Sequence, residues 1–285
     1  MIAAVWSGDP TMIDVYRQPE EMTAPDGSIV KNPLADLHTL TTKDCCFPHL
    51  FIDDQGNVYE QWRWVTIAED GSLITQKGTP RLYGKLLNFG ILYGQGAESV
   101  SDLHTILVAL AEEWIKRHKM AYQTFHEWKE EVSSIAEARG WFENPFSKRV
   151  RWCVEGNAKG AGESPGVMAV NHAIQSSGAD LLKISLIQIQ NFLLSHDTHP
   201  LFKQVKIIGQ VHDEILLQGP GRCYLDFDKS KWKEDVIVKP VWKHSDEIQE
   251  WVSPLKQIMI DAETHLLGGV LTGRVGEAVC PYWSK

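Results

Sequence analysis

The sequence predicts an α+β fold in which long helices are combined with short antiparallel hairpins. Residues 98–138 are rich in Ala, Leu, Glu and Lys and contain no Pro or Gly, which is typical of long helices. Residues 50–78 alternate apolar and polar residues around Asp-Gly and Gly-Asn turn sequences, which predicts hairpins inserted between helices. The apolar runs 205–211 and 215–218 flank a short acidic segment and predict a further hairpin.

The remaining segments are assigned from local composition. Residues 24–33 are predicted to be a loop because of their Pro, Gly and Asn content, and the glycines of 156–166 predict a flexible connector. Helical periodicity starts at Thr79, returns from about Ala169 to Leu194, and is found again over 253–267.

Length and composition set broad limits on the class of protein. The chain has 285 residues, 43% hydrophobic and 23% charged, which allows one large domain or two small ones and excludes a disordered or disulfide-stapled class. No apolar run is long enough to span a membrane. Its five cysteines are irregularly spaced, which predicts a reducing, cytoplasmic setting. Cys46 and His49 could begin a metal clip, but no second pair follows at ligand spacing, so an ordinary core or loop role is favoured.

The net charge of −9 argues against nucleic acid as a partner only if the charge is spread evenly along the chain. Residues 1–78 hold 12 acidic and 5 basic residues, so most of the excess lies there. The stretch 139–160 has five basic residues against two acidic ones. Because local basic patches determine phosphate contact more than the total does, nucleic acid stays a possible partner.

A first candidate site lies on the predicted helix over 81–94. At 100° per residue, Arg81, Lys85, Phe89 and Tyr93 fall within about 120° of one another, and the segment contains no acid. Two cations one turn apart suit a polyphosphate. An aromatic ring one turn further suits a base or sugar to stack on. An amphipathic helix with a basic exposed edge would show the same pattern, so both interpretations remain open.

Two further features of that helix need a reason. Gly84 and Gly90 each cost about 1 kcal/mol in a helix interior, so packing or function must favour them. Asn88 lies about 20° from Arg81 on the same face.

A second candidate site is the pair Asn171 and Gln175, which share a helix face at i, i+4. Their amides can donate to the minor-groove acceptors that every base pair offers, which suits a protein that checks pair geometry without reading sequence. An Asn N-cap followed by a surface Gln is the structural alternative.

The third candidate site is His212-Asp213-Glu214 at the tip of the hairpin predicted over 205–218. Adjacent carboxylates beside apolar strands favour a nearby cation, and Mg²⁺ takes one or two carboxylates together with phosphate oxygens. A solvated turn would also place Asp there.

In this order and spacing, the three segments resemble motifs of the family A DNA polymerases, the group of bacterial DNA polymerase I and many phage replicases. The first resembles the fingers-helix pattern Arg-x-x-x-Lys-x-x-x-Phe-Gly-x-x-Tyr-Gly, the second the Asn-x-x-x-Gln helix, and the third the His-Asp-Glu palm hairpin. Ser7-Gly8-Asp9, Asp36-Leu37-His38-Thr39 and Trp283 also follow the family pattern. The resemblance implies a palm remnant over 1–20, fingers over 21–190 with insertions near 24–35 and 48–78, and palm over 191–285.

The resemblance also implies roles and partners. Primer–template DNA and dNTPs would be the partners, and no membrane partner is expected. Asp213 and Glu214 would hold Mg²⁺, and with Lys85 they would be the catalytic residues. No role follows for Asn88. The implied binding residues are, for the incoming nucleotide, Arg81, Lys85, Phe89, Tyr93 and His38, and, for DNA, Asn171, Gln175 and His212.

Two positions depart from the family pattern. The family places an Arg four residues before its Asn, where this chain has Val167. The family's other metal-binding Asp precedes the Ser-Gly-Asp segment and has no counterpart here, and Asp9 and Asp14 are poor replacements. The two-metal site is therefore expected to be incomplete in this chain, and a second polypeptide is expected to supply the missing Asp, thumb and remaining palm. The alternatives are a nucleotide- or DNA-binding remnant without catalysis and a truncated product.

Overall fold

The computed structural model describes residues 1–23, 29–47, 65–67, 73–75, 81–154, 164–226 and 241–279. The chain divides into two compact units, Met1–Ser176 and Ser177–Lys285, and the division falls inside one long helix. None of the described helices is long and apolar enough to cross a membrane. His49, Trp283 and most of the predicted connector over 156–166 lie outside the described residues.

The first unit is mainly helical. Its helices are α1 Ile2–Ser7, α2 Pro10–Arg17, α3 Leu37–Thr41, α4 Arg81–Leu92, α5 Ala97–His104, α6 Val108–Ala121, α7 Gln123–Arg139 and the first part of α8 Pro165–Ser195. A π-helical turn, Thr42–Cys46, continues α3, and a 3₁₀ turn, Pro33–Ala35, precedes it.

The strands of the first unit form antiparallel pairs. These are β1 Glu21–Thr23 with β2 Ile29–Lys31, β3 Val65–Ile67 with β4 Leu73–Thr75, and β5 Trp141–Glu143 with β6 Val150–Trp152. The buried Asn144, in the turn after β5, donates from its Nδ2 to the Ala173 carbonyl of α8 at 3.3 Å, which anchors the third pair.

Helix boundaries in the first unit follow local chemistry. Asp9 is the N-cap of α2 and accepts from the Met12 amide at 3.0 Å, and Asp36 caps α3 in the same way. Gly140 ends α7 at φ 72°, a left-handed conformation that glycine adopts without steric cost. The exposed polar faces of these helices surround a core centred on buried Leu87, Val100, Trp114, Tyr122 and Phe125.

The second unit combines two hairpins with one helix packed on the end of α8. Its elements are β7 Lys206–Val211, β8 Glu214–Gln218, β9 Cys223–Asp226, β10 Val241–His244 and α9 Asp246–Leu266. Ile189 and Leu193 of α8 pack with Ile248, Trp251 and Leu255 of α9 in a separate core.

The predicted α+β class is confirmed, since the described residues combine helices with antiparallel strand pairs. The helices expected over 98–138 and 169–194 are present as α5–α7 and α8, and the hairpin expected over 205–218 is β7–β8. One hairpin, β3–β4, lies within 50–78.

Two boundaries differ from the prediction. Residues 29–31 pair with 21–23 as a strand, although their Gly and Pro neighbours predicted a loop. Helix α9 begins at Asp246, seven residues before the expected start at Ser253, and Pro254 lies inside it. Packing of Ile248 and Trp251 in the second core explains why the turns before Pro254 are helical.

Candidate functional site

The exposed face of α4 carries the first group of predicted site residues. Arg81, Lys85, Phe89 and Tyr93 are all exposed, while Leu87 on the opposite face is fully buried. The rings of Phe89 and Tyr93 stack with centroids 6.2 Å apart, and Lys85 Nζ lies 5.9 Å from the Phe89 ring centroid. Tyr93 follows the last helical residue, Leu92, but keeps its place on this face. The structure therefore brings together the two cations and two aromatic rings that the spacing predicted.

Arg81 is already engaged by an acid that the motif does not contain. Its Nε and Nη2 donate to the two carboxylate oxygens of Asp36 at 2.5 and 3.0 Å. Asp36 also accepts from the Thr39 hydroxyl at 2.6 Å. Burial raises the pKa of the Asp36 carboxyl, but the hydrogen bonds from Arg81 and Thr39 outweigh it and leave the pKa below its ordinary value. A fork-shaped pair of this kind fixes the orientation of the Arg81 guanidinium.

The glycine at position 84 lets α3 lie directly against α4. A Cβ there would overlap the His38 carbonyl oxygen and would lie 2.7 Å from the backbone nitrogen of Thr42. The Gly84 amide donates to the Thr42 hydroxyl at 3.1 Å, which ties the two backbones together. The cost of glycine inside this helix is thus explained by a close backbone approach, which carries His38 to the face of α4.

His38 lies at the edge of the α4 face, although it is 43 residues from Arg81 in the sequence. Its ring centroid is 5.7 Å from that of Phe89, and its Nδ1 is 2.9 Å from the Asn88 Nδ2. The pKa of the His38 imidazole is lowered to about 4, chiefly by burial; the charge of Asp36 opposes this shift, and the charges of Arg81 and Lys85 contribute to it. His38 is therefore a neutral imidazole at pH 7.

Asn88 is the residue that sequence reasoning left without a role. In the structure its side chain joins His38 of α3, Thr41 of α3 and His118 of α6. A polar side chain on the edge of an apolar helix face was the available signal, but its partners lie 30 to 50 residues away in sequence.

The second predicted pair is placed on α8. Gln175 is exposed, and its Nε2 donates to the Tyr93 hydroxyl at 3.2 Å, so a residue predicted to contact DNA meets one predicted to contact nucleotide. Asn171 lies in the second turn of α8, which begins at Pro165, so the alternative of an N-cap is wrong. Its Oδ1 is buried and has no hydrogen-bond partner among the described residues. Val167, at the position of the family Arg, packs against Gly94 beyond the end of α4.

The acidic hairpin of the second unit has the predicted form. His212 and Asp213 make a two-residue turn between β7 and β8, with His212 at φ 54°, and Glu214 is the first residue of β8. All three side chains are exposed. Within the described residues, no three His, Cys, Asp or Glu side chains are grouped closely enough to hold a metal ion.

Asp9, which was weighed as a replacement for the family's other metal-binding Asp, is occupied by two backbone amides. It is 1% exposed, and its two carboxylate oxygens accept from the amides of Met12 and Phe125 at 3.0 and 3.1 Å. Cys46 is likewise buried, and burial raises the pKa of its thiol, which does not suit a metal-binding thiolate.

Basic side chains also line the β5–β6 hairpin. Arg149 and Arg151 are exposed in or beside β6, together with Trp152 at 68% exposure. Arg139 lies over the Trp141 ring at 5.5 Å. Basic and aromatic groups interleaved on one hairpin are a surface suited to a nucleic-acid backbone and its bases.

Comparison with known proteins identifies the class to which this fold and these motifs belong. The family model described as DNA polymerase family A matches residues 70–229, more than half of the chain, and the match includes α4, α8 and the His-Asp-Glu hairpin. The chain therefore belongs to the family A DNA polymerases.

Individual relatives are similar over about half of this chain. It is 28% identical over 144 residues to the thermostable DNA polymerase I of Thermus aquaticus, covering 49% of this chain and 16% of that protein. It is 31% identical over 153 residues to DNA polymerase I of Streptococcus pneumoniae, covering 52% and 16%. The chain thus spans about a sixth of the length of these curated relatives.

A solved structure shares the fold. The POL domain of Pol1 from M. smegmatis, in complex with DNA primer-template and dNTP, matches with a TM-score of 0.57 and 18% identity, covering 92% of this chain and 34% of that one.

Proposed function

We propose that this chain takes part in template-directed DNA synthesis, joining a dNTP to a primer 3′-hydroxyl as the fingers and part of the palm of a family A DNA polymerase. The observation that carries the proposal is the exposed α4 face, where Arg81, Lys85, Phe89 and Tyr93 lie together within the residues that match the family. In the reaction the 3′-hydroxyl attacks the α-phosphate, the new phosphodiester forms, and pyrophosphate leaves.

The α4 face supplies groups suited to a nucleoside triphosphate. The cations of Arg81 and Lys85 lie one turn apart and would each form charge-assisted hydrogen bonds to phosphate oxygens. His38, a neutral imidazole beside them, would add a further donor. The stacked rings of Phe89 and Tyr93 would contact sugar and base. Lys85 would also act in catalysis by neutralising charge on the departing pyrophosphate.

Primer–template DNA would be contacted by side chains of α8 and of the β7–β8 hairpin. Gln175 and Asn171 on α8 present amide groups that can bond minor-groove acceptors without reading sequence. His212 would lie at the primer end from its place in the β7–β8 turn. Phosphate contacts by Arg149 and Arg151 would make the affinity fall with salt.

The donor set at the hairpin fits magnesium. Asp213 and Glu214 are adjacent, exposed carboxylates, and Mg²⁺ typically takes one or two carboxylates and completes its shell with water and substrate phosphates. A bound Mg²⁺ supplies Lewis-acid polarisation of phosphate oxygens. Asp213 and Glu214 would hold the Mg²⁺ ion beside the primer end.

A complete two-metal site needs a further carboxylate, which we propose comes from a second polypeptide. A second metal ion would need further oxygen ligands, and among the described residues no third His, Cys, Asp or Glu is grouped with Asp213 and Glu214. Among the described strands β7 pairs only with β8, so its other edge would be available to an added palm strand.

Nucleotide binding tests the α4 face directly. We expect Lys85→Ala to weaken dNTP binding by about tenfold, the typical loss of a charge-assisted hydrogen bond. Lys119→Ala is the matched control, because Lys119 is exposed and pairs with Glu130 elsewhere in the same unit. Equal affinity in Lys85→Ala and the wild type, measured by titration calorimetry, would remove α4 from the proposed site.

Primer extension tests the hairpin. The chain is assayed alone and mixed with a polypeptide that carries the remaining palm and thumb of the polymerase. We expect Asp213→Asn to abolish extension and Glu214→Gln to reduce it, whereas Asp197→Asn, an exposed acid after α8, leaves it unchanged. Extension that survives Asp213→Asn would exclude Asp213 as the metal ligand.

A binding module without catalysis is the second candidate function. The absence of a three-ligand metal group among the described residues favours it. It predicts nucleotide and primer–template binding with no extension, whether the chain is alone or mixed with the complementing polypeptide.

A further inference from the structure

A buried line of hydrogen bonds connects three helices behind His38. His126 of α7 lies 2.9 Å from His118 of α6, Nε2 to Nδ1, and His118 Nε2 lies 2.8 Å from the Asn88 Oδ1 of α4. Asn88 Nδ2 in turn lies 2.9 Å from His38 Nδ1. His118 is 1% exposed and His126 is 9% exposed, so the far end of the line is shielded from water.

The two ends of the Asn88 amide face different histidines. Its Nδ2 faces His38 Nδ1 and its Oδ1 faces His118 Nε2. The Thr41 hydroxyl lies 3.0 Å from Nδ2 and 3.1 Å from Oδ1, and it also bonds the Leu37 carbonyl oxygen and the buried Tyr122 hydroxyl. Thr41 therefore helps to hold the amide in place, and the orientation of the amide sets the direction of the line.

The same logic places the protons on the histidines. Asn88 Oδ1 can only accept, so His118 carries its proton on Nε2, and its Nδ1 accepts from the Nε2–H of His126. His38 receives a hydrogen bond at Nδ1 and so carries its own proton on Nε2. That Nε2 has no hydrogen-bond partner among the described residues, and the His38 side chain is half-buried.

We propose that His118, Asn88 and Thr41 are positioning residues that hold His38 in one orientation and one tautomer, so that its Nε2–H is offered as a neutral donor to the triphosphate of a nucleotide on the α4 face. This inference rests on the proposed function for its ligand, but the tautomer itself does not depend on it. A donor that is fixed before binding loses less entropy when the phosphate arrives.

The electrostatic surroundings agree with this geometry. Burial lowers the pKa of the His126 imidazole to about 4 and holds that of His118 well below its ordinary value, so both rings are neutral at pH 7. A protonated His118 would have two donors and no acceptor, and it could not receive the hydrogen bond from His126.

The first experiment reads the tautomers directly. Nitrogen-15 NMR of the histidine rings, with the His38 signals assigned by their loss in His38→Gln, shows which nitrogen carries the proton. We expect His38 and His118 to be neutral and protonated at Nε2 at pH 7. A His38 protonated at Nδ1 in the wild-type protein, or a mixture of tautomers, would overturn the proposal.

The second experiment reverses one bond. In Asn88→Asp the carboxylate can accept from His118 but cannot donate to His38, so the His38 proton must move to Nδ1 or both nitrogens must become protonated. We expect the His38 signals to lose the pattern of a ring protonated only at Nε2. The signals of His118 and His126 should stay as they are, which also reports that the variant is folded. Unchanged His38 signals would contradict the proposal.

The third experiment asks whether the donor is used. Binding of Mg²⁺–tripolyphosphate is measured for His38→Ala and His38→Gln, because the Gln amide can replace the Nε2–H donor. We expect about tenfold weaker binding for His38→Ala and near wild-type binding for His38→Gln. Equal binding by both variants and the wild type would exclude His38 as a phosphate donor. If the tautomers are as expected but the wild type binds no tripolyphosphate, the proposed function fails while the tautomer assignment stands.

Discussion

The Arg81 guanidinium and the Asp36 carboxylate form a two-bond ion pair between the first turn of α4 and the N-terminus of α3. The carboxylate orients the guanidinium and also competes with any phosphate that approaches it. It is 29% exposed, so water screens the pair only in part.

Removing this competing charge gives a first prediction. In Asp36→Asn the N-cap of α3 is retained because Asn caps helices as well as Asp does. We expect Mg²⁺–dNTP binding to tighten, by up to about fivefold at low salt, since a partly exposed ion pair is worth at most about 1 kcal/mol. Titration at two salt concentrations measures the effect. Asp14→Asn, which breaks the exposed pair with Arg17, should leave affinity unchanged. Weaker binding in Asp36→Asn would mean that orientation by Asp36 matters more than its competing charge.

The contact at Gly84 predicts a loss of stability. Gly84→Ala places a Cβ against the backbone of α3, which cannot move without shifting the helix, and overpacking of this kind costs about 1–3 kcal/mol. Urea unfolding measures it. Gly276→Ala is the control, because an added Cβ there meets nothing within 4 Å. A Gly84→Ala variant as stable as the control would show that α3 and α4 are not in backbone contact.

The buried histidines predict sensitivity to acid. Their folded-state pKa values lie below the ordinary 6.5, so the unfolded chain binds more protons, and the free energy of unfolding falls as the pH drops from 6.5 toward 4. We expect up to about 1.4 kcal/mol per pH unit from His118. His38 and His126 add less because water screens their more exposed rings.

Histidine variants isolate this effect. His118→Gln should flatten the pH dependence of urea midpoints, whereas His199→Gln, at an exposed turn position, should keep it. An equally steep dependence in His118→Gln would assign the acid sensitivity to other groups.

The hydrogen bond between Gln175 and Tyr93 predicts energetic coupling between α8 and the end of α4. In a double-mutant cycle of Tyr93→Phe and Gln175→Leu, we expect an interaction energy of about 0.5–1 kcal/mol in the free energy of unfolding. The cycle of Tyr93→Phe with Gln123→Leu should give none, since Gln123 bonds Glu127 within α7. Zero coupling in both cycles would show that the bond contributes nothing measurable.

The left-handed backbone of His212 allows the effect of its conformation on the β7–β8 turn to be tested separately from the role of its imidazole. His212→Gly should stabilise the second unit slightly, because glycine adopts a φ of 54° without steric cost, whereas His212→Val should destabilise it by about 1–2 kcal/mol. Thermal unfolding of the two variants gives the comparison. Primer–template affinity should fall in both. Full affinity in His212→Gly would exclude the imidazole as a DNA contact.

Much of this molecule was predictable from local sequence, and the exceptions have a common cause. The four-residue spacing of Arg81, Lys85, Phe89 and Tyr93 determines their shared face, because helix geometry depends only on neighbours in the chain. The β7–β8 hairpin follows from its apolar runs in the same way. Asp36 and Asn88 were not assigned their roles because their partners come from other helices. Local periodicity carries no information about which helices meet.

The boundaries that were missed show the same limit. Near the C-terminus, helical periodicity was found only over 253–267, and the core that contains Ile248 and Trp251 explains why α9 begins earlier. The glycine at position 84 indicated that packing or function must favour it, but the sequence could not show that the reason is a close approach of α3.

The backbone contact at Gly84 has a mechanical consequence. Because Gly84 has no side chain and its amide donates to the Thr42 hydroxyl, the end of α3 lies directly against α4, and neither helix can slide or rotate without breaking this contact. If α4 changed its orientation, His38 and Asp36 would move together with it as one rigid body. The distances among Arg81, Asp36 and His38 would then be the same before and after such a movement.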